Sequence, residues 1–106
     1  MRSWRRAALA AIILGLACPA TAVEVDREPG FQIAQQICAE CHGIGIGLLS
    51  PDPRAPSFFV IANQPGTTEL AFRVFLRTTH ENMPNLIIEP SQIDDLLAYL
   101  RSLRLP

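Results

Sequence analysis

The chain has 106 residues, nine of them basic and ten acidic, with a net charge of −1. That length holds one small domain. The charge offers no footing for a polyanion such as nucleic acid.

Residues 1–22 read as a cleaved secretory signal. Arg2, Arg5 and Arg6 form a basic start, residues 7–17 are an uncharged apolar run, and "CPATA" places small residues at Ala20 and Ala22. The run is too short for a bilayer core, which takes about 20 residues. Cleavage before Cys18, as in a lipoprotein, is the lesser alternative, because it wants a larger aliphatic residue where Gly15 stands. Cutting after Ala22 leaves one domain, residues 23–106, with six arginines, no lysine and ten acids, hence a charge of −4. Such a product is expected in the periplasm as a monomer, with no stable membrane insertion and no nucleic-acid partner. Losing Cys18 also leaves only Cys38 and Cys41. A domain of this size has a thin core and often depends on a staple, metal or cofactor.

Within that domain, residues 23–29 are charged and mixed and read as a loose tail. The spacing of Gly30, Ala34, Ile37, Cys38 and Cys41 predicts a helix over 31–41. "GIGIGLLSPDPRAPS" is rich in Gly and Pro and must be loop. "SFFVIANQ" is short and apolar and is assigned a short helix. A helix over 68–79 follows, with Leu70, Ala71, Val74 and Phe75 as its apolar stripe. "HENMPNLIIEP" is a second loop. The last helix opens at Ser91, with Asp94 three residues on as a capping box. Ile93, Leu96, Leu97, Leu100 and Leu103 line one of its faces, and Arg101 and Arg104 suit the negative end of its dipole. No strand pattern appears, so the fold class is all-α, with three to four short helices. Gly/Pro loops this long normally need something to wrap around.

"ICAECHGIG", from Ile37 to Gly45, names four candidate chemistries. Structural zinc needs four ligands, and coordination by both Cys41 and the adjoining His42 is strained. A redox dithiol belongs at a helix N-terminus, where the dipole lowers a thiol pKa, but this pair falls at a helix C-terminus. A disulfide across two residues closes too small a loop to remove much chain entropy. Covalent haem uses every residue of the motif: each cysteine forms one thioether, and His42 sits under the iron.

The iron's other axial position then needs a partner. Met83 is the sole methionine outside residues 1–22, and Pro84 restricts its backbone. Ligation by Met83 competes with a gap-filling core role for that side chain, with ligation by His80, and with an open site. A thioether raises the haem potential. Two firm ligands leave no room for oxygen or peroxide, which describes a carrier and not an enzyme. No catalytic residues are assigned.

With "CAECH", "APSF", "NMPN" and "DDLLAYLRSL" in this order, the chain resembles the small class I c-type cytochromes of bacterial type. The resemblance covers about residues 30–103. It implies a cytochrome c fold wrapped round one haem c, with the first and last helices crossing at Gly30 near Leu96 and Leu100. Ala34 stands where many relatives carry an aromatic side chain. It also implies a proline carbonyl bonded to the ring of His42: Pro56 is the choice and Pro53 the fallback, against a plain loop-shaping role for both. Haem-binding residues are then Cys38, Cys41, His42, Met83 and Pro56, with His42 and Met83 as metal ligands. Phe58, Phe59, Leu70, Phe75 and Leu97 are pocket or core residues. Arg54 is the candidate partner of a haem propionate, while Arg73 and Arg77 are expected in solvent. The absent lysines point to docking through apolar surface or a few arginines, with residues 43–49 either an exposed contact near the haem edge or a buried loop. The expected function is one-electron transfer with redox partners such as a respiratory complex, an oxidase or a dehydrogenase. The alternatives are a dedicated dehydrogenase partner or subunit, and a ligand-binding or sensor haem with Met83 displaced.

Overall fold

The computed structural model of this chain describes residues 15, 17–20, 26–78 and 82–106. Most of the segment read as a signal lies outside them, as does His80. The described residues form four α-helices and no strand, which is an all-α fold.

Helix α1 spans Glu28–Ile33. It starts before the expected position and takes in two residues assigned to the tail. Proline suits a first helical turn, where its missing N–H would be unpaired anyway. Asp26 accepts the Glu28 N–H at 3.0 Å, and the Glu28 carboxylate accepts from the Gln32 amide at 2.8 Å. From Ala34 to Cys38 the helix widens into a π-turn, closed by the Ala39 N–H on the Ala34 carbonyl at 2.9 Å. The regular helix expected as far as residue 41 therefore changes geometry at Ala34.

Helix α2 spans Phe58–Asn63, and Ser57 caps it by accepting the Val60 N–H at 3.3 Å. Helix α3 spans Glu69–Arg77, and Thr68 accepts the Ala71 N–H at 3.0 Å. The expected stripe of α3 is corrected here. Leu70 and Val74 are 71% and 53% exposed, whereas Phe72 is buried. The helix turns Phe72 and Leu76 toward the core instead.

Helix α4 spans Pro90–Ser102. Its N-cap is Glu89 and not Ser91: the Gln92 side chain accepts the Glu89 N–H at 3.0 Å, and Pro90 fills the first turn. The box lies two residues earlier than expected, and Asp94 falls beyond the first turn. Its apolar stripe is as expected: Ile93, Leu96, Leu97 and Leu100 are the largest fully buried side chains, each at most 1% exposed. Each stabilises the fold by about 1.5–3 kcal/mol relative to an exposed position.

The core lies where α1 crosses α4. A Cβ added at Gly30 would sit 2.0 Å from the Asp95 carbonyl oxygen and 2.7 Å from the Tyr99 Cβ, so only glycine permits this approach. Phe31 meets the Tyr99 ring edge-on at 5.5 Å, and Ala34 is completely buried. Asn63 ties α2 to the chain end: its amide donates to the Leu103 carbonyl at 3.0 Å and its oxygen accepts the Leu105 N–H at 2.8 Å. Among the described residues no helix is long and apolar enough to cross a membrane.

Candidate cofactor site

The π-turn delivers Cys38, and the next turn delivers Cys41 and His42, to one side of a cavity of about 500 Å³. That volume lies within the range of roughly 300–1,000 Å³ typical of ligand and cofactor sites. The N–H groups of Cys41 and His42 both bond the Cys38 carbonyl, at 3.1 and 2.9 Å. This tight turn brings three reactive side chains to one wall. Burial pushes the Cys38 thiol up to about 11. A redox dithiol needs the opposite shift. No three His, Cys, Asp or Glu among the described residues converge where a metal ion could sit.

His42 is half-buried, and its Nδ1 lies 2.6 Å from the Pro56 carbonyl. A carbonyl can only accept, so Nδ1 carries the proton and Nε2 keeps its lone pair. The ring also meets Phe58 edge-on at 5.7 Å. The loop between them is pinned back on the motif. Gly43 donates to the Ser50 hydroxyl at 2.9 Å, and Asp52 donates to the Cys41 carbonyl at 3.2 Å. Phe58 donates to the Gly43 carbonyl at 2.8 Å. A Cβ at Gly43 would lie 2.3 Å from the Leu48 carbonyl oxygen.

Met83 is half-buried and also lines the cavity. Asn82 precedes it with φ at 64°, a left-handed turn that asparagine tolerates better than most residues. The apolar walls come from Ile37, Phe58, Phe72, Phe75 and Leu96. Phe58 thus serves core and cavity together, while Leu97 belongs to the core and Phe59 is half-buried. Leu70, expected in the pocket or core, points to solvent.

Arg54 also lines the cavity, but its guanidinium is held by Asp52 at 2.9 and 3.1 Å. The hydrogen bonds from Arg54 hold the Asp52 carboxyl below its ordinary range. Asp52 carried no signal in the sequence beyond its place two residues before Arg54. Arg73, expected in solvent, pairs with Asp94 at 2.6 Å. Residues 43–49 divide between the two expectations. Ile44 is buried, whereas Ile46, Leu48 and Leu49 are exposed, and none of the stretch lines the cavity.

Comparison with known proteins agrees with this architecture. The chain is 30% identical over 84 residues to cytochrome c-552 of Bradyrhizobium diazoefficiens, covering 79% of this chain and 81% of that protein. No protein-family model and no solved structure matches the chain. The chain belongs to the small c-type cytochromes, which are haem-bearing electron carriers. The family implies haem c, and the cavity suits it: two thiols and an imidazole with a free lone pair stand on one wall, with aromatic and aliphatic side chains around them.

Proposed function

We propose that residues 23–106, after loss of the leading segment, form a periplasmic one-electron carrier with a single haem c ligated by His42 and Met83. The observation that carries this reading is a single cavity lined by Cys38, Cys41, His42 and Met83. When bound, haem c supplies an iron that passes between the ferrous and ferric states by one electron.

Cys38 and Cys41 would hold the haem, each through one thioether made by adding its S–H across a vinyl group. His42 offers Nε2 to the iron, and Pro56 fixes the ring and raises its basicity through Nδ1. Met83 offers a soft neutral thioether, which favours the ferrous state and raises the potential. Phe58, Phe72 and Leu96 exclude water from the site. Arg54 is the candidate partner of a propionate, its guanidinium shared with Asp52.

Redox proteins are the partners. With no lysine in the chain, electrostatic steering toward an acidic partner is weak. The exposed Ile46, Leu48 and Leu49, on a firmly pinned loop, favour a dedicated partner with an apolar docking face. Co-elution with one enzyme in native purification supports that second reading, and elution alone supports a free carrier.

Absorption spectra of the oxidised and reduced protein test the main reading. A c-type haem spectrum and the far-red band of ferric iron bound to sulfur are expected. Rapid binding of carbon monoxide to the reduced protein at neutral pH would overturn methionine ligation.

A further inference from the structure

Met83 lies on a strap between α3 and α4 that is described from residue 82 onward. Residues 82–88 make no hydrogen bond to any described residue. Asn82, Met83, Pro84 and Leu86 line the cavity, and Ile88 packs against the core. With no such hydrogen bond to tie 82–88 down, the placement of α3 and α4 bears on where Met83 sits. One end leaves α3 and the other enters α4.

The contact between those helices has a regular construction. Glu69, Phe72, Arg73 and Leu76 lie on one stripe of α3, spaced three, one and three residues apart. Asp94, Leu97 and Arg101 lie on one stripe of α4, spaced three and four apart. Glu69 pairs with Arg101 at 2.5 Å, and Arg73 pairs with Asp94 at 2.6 Å. The start of α3 thus meets the end of α4, and its middle meets the early part of α4. The two ion pairs bracket an apolar seam in which α3 buries a single side chain, Phe72.

We propose that the Glu69–Arg101 and Arg73–Asp94 pairs form a two-point clamp that fixes the span of the Met83 strap, making all four positioning residues for the distal ligand. This rests on the His42/Met83 reading above. Opening the clamp lets α3 move off α4, lengthens the span between the strap's ends, and raises the fraction of protein with Met83 off the iron. All four side chains are 36–60% exposed, so salt reaches and screens them.

The test uses the full haem-loaded protein. Exogenous imidazole competes with Met83 for ferric iron, so its apparent affinity scales with the open fraction. Affinity and the far-red band are read in about 0.01 M and about 1 M salt, between which the Debye length falls from about 30 to about 3 Å. In the native protein, imidazole affinity rises with salt. In the double variant Arg73→Gln with Arg101→Gln it is raised already at low salt, by roughly two- to thirtyfold, and loses its salt dependence. Exchanging charges in Arg73→Asp with Asp94→Arg restores native affinity. Asn63→Ala, which loosens the join of α2 to the chain end, lowers the thermal midpoint and leaves imidazole affinity unchanged. Native-like affinity of the double variant at low salt overturns the clamp alone. A native protein without the far-red band, whose spectrum does not change in Met83→Ala, overturns the ligation reading and the clamp with it.

Discussion

His42 has one ring nitrogen committed to the Pro56 carbonyl, and that bond aims the other into the cavity. Met83 also lines that cavity. Met83→Ala is expected to lower the potential and to convert the reduced protein from unreactive to reactive with carbon monoxide, read by titration and by spectrum. Gly30→Ala is expected to cost about 1–3 kcal/mol, read as a lower urea midpoint, because the added methyl meets the fixed Asp95 carbonyl. Gly30 and Met83 could be picked out in advance, since a helix crossing demands a missing side chain and a lone methionine beside proline is conspicuous. Asp52 could not. Its importance depends on Arg54 folding back onto it, and an Asp-Pro-Arg string in a loop does not say which way the arginine turns.

At the scale of elements, α4 dominates stability. Leu97→Ala is expected to cost about 2–5 kcal/mol in denaturant unfolding, because the site is closed on all sides. The α3–α4 contact responds to acid. Arg101 holds the Glu69 carboxyl below its ordinary range by a side-chain hydrogen bond. A lowered folded pKa contributes stability above the unfolded value, about 4.3, and loses it as pH falls through the lowered one. Asp52, lowered by Arg54, has the same sign. The difference in thermal midpoint between low and high salt should persist from pH 7 to pH 5 and shrink below about pH 4. The amphipathic face of α4 was plain from its periodicity. Its start was not, because Ser91 and Glu89 both head acceptable capping patterns and only Pro90 in the first turn decides between them. The face of α3 was misread for a different reason. Its apolar residues nearly encircle it, and only the facing helix selects Phe72. The π-turn at Ala34 has no sequence signature, because nothing local to those residues distinguishes it from an α-turn.

At the scale of the molecule, the helices enclose a cavity that their own side chains do not fill. Cys38→Ser with Cys41→Ser is expected to yield protein that releases all its haem on denaturation and melts well below the native form, measured by mass and by thermal scan.

All four of the largest fully buried side chains sit in the helix Pro90–Ser102. Translation proceeds from the other end. Until its last stretch clears the ribosome, the nascent polypeptide has both cysteines on offer but nothing to condense upon. A message truncated ahead of codon 90 would therefore yield a product still open to pigment attachment yet destined for proteases.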